Sequence, residues 1–189
     1  MRIVAGTFRG RQLVAPKGQS TRPTADRTRQ ALYNVLEHAP WTIGLQNRRI
    51  IDAFAGSGAL GLEAMSRGGA FCLFLDHNAA AREAIGANAA ALKLADRTRI
   101  DRRDPTTLSA RSSGDGAPFD LVFLDPPYGQ GLGEAALARL AAGDWLGSGA
   151  LAVLERGVAD PAPTPASFQL LDERTWGAAR VSFLSQLAP

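Results

Sequence analysis

The chain has 189 residues, 46% apolar and 21% charged, which fits one globular domain with a full core and excludes a disordered chain. One cysteine, Cys72, excludes an intrachain disulfide and a multi-cysteine zinc site, and with only His38 and His77 besides, no metal is expected. Residues 1–49 hold nine Lys/Arg against two acids and residues 50–189 twelve against sixteen, so a basic N-terminal part on a mildly acidic body points to a polyanionic partner, the alternative being a solvated surface. The start, MRIVAGTFRGR, lacks the apolar run of a signal peptide, and no stretch approaches the ~18 apolar residues of a membrane span. A reducing, cytoplasmic compartment is therefore expected.

Residues 2–15 read as a short hairpin, Ile3–Thr7 and Arg11–Ala15 about an Arg9-Gly10 turn, followed by a Pro/Gly loop over 16–23. Thr24 is placed to cap a helix over 25–38, with Ala31, Leu32, Val35 and Leu36 as its apolar stripe. The pattern then changes to strand–helix alternation. Strands are expected at 48–56 (RRIIDAFAG, stopped by its glycine), Phe71–Leu75, Thr98–Arg102, Asp120–Leu124 and Leu151–Glu155, with helices at 58–67, Ala79–Leu94 and 132–142. Residues 105–118 and 158–166 read as loops, and Phe168–Glu173 with Ala179–Leu184 as a closing strand pair across Trp176-Gly177. Such alternation predicts an α/β fold, a mostly parallel sheet covered on both faces, with ligands beyond the carboxyl ends of its strands.

The residues at those strand ends carry the chemistry. The first strand runs into Phe54-Ala55-Gly56-Ser57-Gly58, and Gly56, Gly58 and Gly61 satisfy G-x-G-x-x-G, a weak signal by itself. The second ends at Asp76, which can accept both hydroxyls of a ribose. A dinucleotide and S-adenosylmethionine both want that acid, and the loop does not choose between them. The fourth strand ends in Asp125-Pro126-Pro127-Tyr128, the most specific string in the chain. Prolines stiffen the backbone and leave carbonyls free, so Asp125 and the Pro126 carbonyl can both accept from an exocyclic amine while Tyr128 offers a stacking face. An arylamine is a poor nucleophile until its lone pair is localised and aimed, which two acceptors achieve.

These motifs resemble a class I, S-adenosylmethionine-dependent amino-methyltransferase. With MRIVAGTFRGRQL, Arg22-Pro23-Thr24, Arg27, Ala31-Leu32-Tyr33-Asn34 and DAFAGSGALGLEAMSRG, the chain is similar to the RsmD family over nearly its whole length. The resemblance implies a Rossmann-like fold with a mostly parallel seven-stranded sheet, helices on both faces and an N-terminal hairpin and helix extension. It divides the chain into an RNA-contacting extension, 1–47, and a methyltransferase domain, 48–189. It implies methyl transfer to the N2 amine of a guanine in 16S ribosomal RNA, free or in the assembling small subunit, leaving S-adenosylhomocysteine. It implies catalysis by Asp125, Pro126, Pro127 and Tyr128. The cofactor would be held by Thr24, Phe54, Ala55, Gly56, Ser57, Gly58, Asp76, His77 and Asp104, and RNA by Arg9, Arg11, Arg22 and Arg27, with no metal, no membrane and a monomer expected.

Two departures from the family pattern stand out. Pro105 follows Asp104 where related enzymes offer a backbone N–H to adenine, and His77-Asn78 follow Asp76 where the family has a second acid. The competing readings are the same chemistry on adenine N6, an NAD-binding oxidoreductase, and a non-catalytic RNA-binding assembly factor.

Overall fold

Seven apolar or alternating runs assemble into one sheet. In the computed structural model, which describes residues 1–16, 24–163 and 165–187, these are β1 (Arg49–Ala53), β2 (Phe71–Leu75), β3 (Thr98–Asp101), β4 (Phe119–Leu124), β5 (Leu146–Gly157), β6 (Phe168–Trp176) and β7 (Ala179–Gln186). Their order is β3-β2-β1-β4-β5-β7-β6. The first five neighbours pair in parallel, β7 lies antiparallel against β5, and β6 pairs antiparallel with β7. The expected mostly parallel seven-stranded sheet is thus present, with an antiparallel edge.

Side-chain alternation on the strands separates two cores. Ile50, Leu121, Phe123, Leu151, Val153, Val181 and Phe183 face one side, packed under α1 (Thr24–His38), α2 (Ala59–Ser66) and α3 (Ala79–Ala91). Ile51, Val122, Leu124, Ala152 and Leu154 face the other side, covered by Ala136, Leu137 and Leu140 of α4 (Leu132–Ala142) and by Trp145. The tight face of the first core belongs to α2, where a Cβ on Gly61 would stand 2.5 Å from a Phe74 ring carbon and 2.6 Å from the Cys72 sulfur. Only glycine lets this helix lie so close on β2.

Three expectations shift. The hairpin exists, but its pairing is confined to the Arg2–Gln12 bridge with Ile3 and Leu13 bonded to Arg11 and Met1 carbonyls, and residues 5–10 form turns instead of a strand. Backbone donors there are taken by α2: Val4 and Ala5 donate to the Glu63 carboxylate at 2.7 and 2.9 Å, and Thr7 to the Ser66 carbonyl at 2.8 Å. α3 stops at Ala91, not Leu94, because Lys93 takes a left-handed conformation (φ 57°) that returns Leu94 to bond Ala89. β5 starts at Leu146, five residues early: Leu146 pairs with Phe119, and a bulge containing Gly149 (φ 71°) precedes the Leu121–Leu151 pair. Thr24 opens α1, with its side chain, like Arg22 and Pro23, outside the described residues.

Candidate active site

The register of the parallel strands places the site. Ala53 lies opposite both Leu75 and Leu124, and Leu124 opposite Leu154. One residue further on, Asp76, Phe54, Asp125 and Glu155 follow one another along the carboxyl edge of the sheet. Leu75 also faces Asp101, so the β3 end brings Asp104 to the same edge three residues later.

The turn after β1 is held by the acid of β2. Asp76 accepts from Gly56 N through Oδ2 and from Asn78 N through Oδ1, both at 2.8 Å. Phe54 has φ 60°, Gly56 56° and Gly58 75°. The left-handed Phe54 costs about 1–3 kcal/mol, so the surrounding bonds must impose it. They include Ala55 N to the Leu75 carbonyl at 3.2 Å and Gly58 N to the Ala55 carbonyl at 2.7 Å. Beside Gly56, a Cβ would meet nothing within 4 Å, so the turn presents bare backbone to open space. Below it, Asp52 accepts from Gly61 N at 2.8 Å, and burial pushes its carboxyl well above the usual range.

One side chain that the sequence reading passed over supports this turn. Asn88 of α3, 2% exposed, donates to the Ser57 carbonyl at 2.9 Å and to the Val14 carbonyl at 3.0 Å, and accepts from Val14 N at 2.8 Å. The hairpin and the glycine turn therefore share one clamp. Its signal in the sequence is a lone amide on the apolar face of an alanine-rich helix. Asn78, noted as a departure from the family pattern, caps α3 by accepting from Ala80 N at 2.9 Å and Ala81 N at 3.4 Å.

At the β3 end, Asp104 caps a short turn, accepting Thr106 Oγ1 at 2.7 Å and Thr106 N at 2.8 Å, both on Oδ1. These bonds, with nearby His77, hold its carboxyl below the usual range. Pro105 occupies the first position of that turn, where a missing N–H removes no internal bond. His77 is exposed on the rim.

Asp125 stands at the cleft. Its side chain is accessible, and among the described residues no group bonds its carboxylate. The surrounding strand ends crowd it and reduce its hydration, and this partial desolvation, with the Glu155 carboxylate beside it, pushes Asp125 up to about 7. Pro126 is buried, Pro127 exposed, and Tyr128 44% exposed, its hydroxyl donating to Glu155 Oε1 at 2.5 Å. Glu155 was also passed over, although it follows the apolar run of β5 as Asp76 and Asp125 follow those of β2 and β4. A cavity of about 450 Å³ opens beside this turn, lined by Pro126, Tyr128, Leu132, Leu154, Glu155 and Asp160 among others. A larger one, about 1030 Å³, lies between α4 and the start of β6 and holds none of the strand-end acids.

The cations divide. Arg9, Arg11 and Arg27 are exposed, and Arg11 also donates to the Ala91 carbonyl at 3.0 Å. Arg22 lies outside the described residues. Arg29 is 4% exposed and turned inward, paired with Asp26 at 2.8 Å and Glu63 at 3.5 Å.

Residues 1–185 match the family model described as "Conserved hypothetical protein 95". Over 178 residues the chain is 38% identical to ribosomal RNA small subunit methyltransferase D of Escherichia coli, spanning 94% of this chain and 85% of that protein. The protein of the same name from Haemophilus influenzae is 34% identical, spanning 94% and 89%. Among solved structures, a putative methyltransferase from Escherichia coli superposes with a TM-score of 0.85 at 33% identity, covering 100% of this chain and 99% of that one. A putative methylase from Haemophilus influenzae superposes at 0.79 with 29% identity, covering 99% and 98%.

Proposed function

The chain belongs to the conserved hypothetical protein 95 family, in keeping with the RsmD resemblance of its motifs, and on that premise we propose that it methylates the N2 amine of a guanine in small-subunit ribosomal RNA. S-adenosylmethionine, when bound, supplies a methyl group activated by a positively charged sulfur. The observation that carries this reading is the Asp125 carboxylate at the cleft, unbonded among the described residues, one strand end away from the glycine turn and two from Asp76.

The residues present fit such a donor. Each Asp76 oxygen takes one backbone N–H, and each keeps an acceptor position for a ribose hydroxyl. Gly56, with open space beside it, admits the methionine end, between Phe54 and Ala55 on one side and Ser57 and Gly58 on the other. Asp104 keeps Oδ2 for an adenine amine, and His77 closes the rim. With proline at 105, adenine receives no backbone donor there. Thr24 and Arg22 belong to this reading through the resemblance alone.

At the acceptor, the Asp125 carboxylate and the Pro126 carbonyl take the two protons of the guanine amine, which localises its lone pair. The Tyr128 face and the stiff Pro126-Pro127 backbone hold the ring so that this lone pair points at the methyl donor. Once nitrogen has gained carbon it must shed a proton, and a carboxylate held near 7 is matched to accept it at neutral pH. Arg9, Arg11 and Arg27 supply exposed cations for the phosphates. The protein is proposed to work as a cytoplasmic monomer. Among the described residues no helix is long and apolar enough to cross a membrane.

The test is transfer of labelled methyl to small-subunit RNA, free and in assembling particles, followed by nucleoside analysis. Label in N2-methylguanosine is expected, and label in N6-methyladenosine refutes the assignment. Asp125→Ala is expected to fold and bind S-adenosylmethionine as the parent does, with turnover lost.

A further inference from the structure

The end of β5 and the residues just after it grip the turn that carries Asp125. Glu155 sits in register beside Asp125, because Leu154 and Leu124 are paired in the strands that precede them. Its Oε1 accepts the Tyr128 hydroxyl at 2.5 Å. Two residues on, Gly157 leaves room for the same ring: a Cβ there would stand 3.3 Å from Tyr128 Cδ2. Asp160 completes the grip, its Oδ2 accepting Gly157 N at 2.9 Å and Gly129 N at 3.2 Å. Hydroxyl, ring edge and following backbone of Tyr128 are thus all met by residues 155–160, while the ring remains 44% exposed.

We propose that Glu155 is a positioning residue for the reaction: its carboxylate fixes the Tyr128 ring through the phenol, and so sets the plane on which the target base is presented to Asp125. The proposal rests on the methyl-transfer reading for its kinetic arm only. A ring pinned at its hydroxyl cannot swing about the Cα–Cβ bond, and an ordered platform lowers the entropy lost when the base lands on it. A charged acceptor makes this bond stronger than a neutral one.

The charged groups around the pair are defined. Asp125 faces Glu155 from β4, Asp52 lies beneath on β1, and Asp160 follows in the same segment. Arg156 points to the other face of β5, where its guanidinium is bound by Glu173, Ser182 and the Asp160 carbonyl. Among the described residues, neither Asp125 nor Glu155 is in an ion pair; burial and the Glu155 charge raise Asp125, while burial raises Glu155 and the Tyr128 hydroxyl offers it relief.

The experiment combines a substrate-free readout with kinetics. The chain has two tyrosines, Tyr33 fully buried and Tyr128 at the cleft, so ring-labelled tyrosine gives two carbon resonances, assigned with Tyr128→Phe. In the parent protein the Tyr128 resonance is expected to move with pH as the neighbouring carboxyls titrate. In Glu155→Ala it is expected to move from its parent position and to lose that response. Glu155→Gln, which keeps an acceptor oxygen, is expected to hold the resonance near its parent position. In turnover, Glu155→Ala and Tyr128→Phe should each lower kcat/KM for RNA about tenfold, the loss of one charge-assisted bond, with S-adenosylmethionine affinity unchanged. The double variant should lose no more than either single one, and Glu155→Gln should recover most of the rate with its pH midpoint moved down. An unmoved Tyr128 resonance in Glu155→Ala, or losses that multiply in the double variant, overturns the proposal. A moved resonance in a protein that methylates no RNA leaves the anchoring in place and overturns the functional reading instead.

Discussion

Replacing Asn88 by alanine tests whether the hairpin and the glycine turn are held as one piece. The amide makes three bonds from a site 2% exposed: two to Val14 and one to the Ser57 carbonyl. The Ser57 contact is buried, so losing its donor costs about 1–3 kcal/mol, whereas the Val14 groups gain partial access to water and cost about 0.5–1 kcal/mol each. The sum is about 2–5 kcal/mol, which for a chain of this size lowers Tm by roughly 4–20 °C. Calorimetric or circular-dichroism melts measure this. S-adenosylmethionine affinity, measured by titration calorimetry, is expected to fall as well, because Ser57 lies between Gly56 and Gly58. Asn88→Asp keeps only one of the three bonds, since a carboxylate can accept from Val14 N but cannot donate to the Ser57 or Val14 carbonyl. If Asn88→Ala melts within 2 °C of the parent and binds the donor equally well, the clamp has no energetic content and the argument fails.

Gly61→Ala places a methyl group 2.5 Å from Phe74 and 2.6 Å from Cys72. Overpacking there is expected to cost about 1–3 kcal/mol by urea unfolding. Turnover should rise with pH through a limb near 7, because only ionised Asp125 accepts the amine protons; a flat profile between pH 6 and 8 contradicts the assignment. Stability has the opposite dependence: a carboxyl raised in the folded state contributes most below its unfolded value, and that contribution is lost as pH climbs through the folded one. Asp125→Asn should therefore gain stability over the parent above pH 7 and not at pH 4. Replacing Arg9 and Arg11 by alanine should reduce the slope of log affinity for RNA against log salt by roughly two, with donor affinity unmoved.

Where a local rule and the fold agreed, the sequence was readable. The strand-end positions of Gly56, Asp76 and Asp125 follow from apolar runs that stop at glycine or acid, Asp104 came from the family resemblance, and the register carries all four to one edge. The same rule applies to Glu155, which the reading left in a strand as its last residue. The start of β5 was hidden because Gly147-Ser148-Gly149 reads as a loop, yet a bulge lets it pair with Phe119. The hairpin was overdrawn for a different reason. Alternation reports which residues are apolar, but residues 4–8 find backbone partners on Glu63 and Ser66, about sixty positions away, and nothing local announces that. Charge counting also overstated the free cations: Arg29 is in a buried pair, and Arg49 lies over the rings of Phe71 and Phe119 at 4.8 and 4.7 Å.

The fully buried Glu63 explains why the N-terminal segment follows the catalytic core so closely. It receives Val4 and Ala5 backbone donors, Arg67 at 2.9 Å and Arg29 at 3.5 Å, while Arg67 continues to Glu37 at 2.8 Å and lies over the Tyr33 ring at 4.7 Å. Hairpin, α1 and α2 thus meet on one carboxylate. A charge in such a place is tolerated only when every partner is present, and removing one costs about 3–5 kcal/mol. α2 itself is eight residues, about 12 Å, with Gly58 of the glycine turn at its start and Ser66 against the hairpin at its end. A helix that short has no soft interior, so a displacement at either end reaches the other. The cations of the hairpin are therefore fixed relative to the strand-end acids by the packing of α2 and α3, which is what presenting one base of a large RNA to one carboxylate requires.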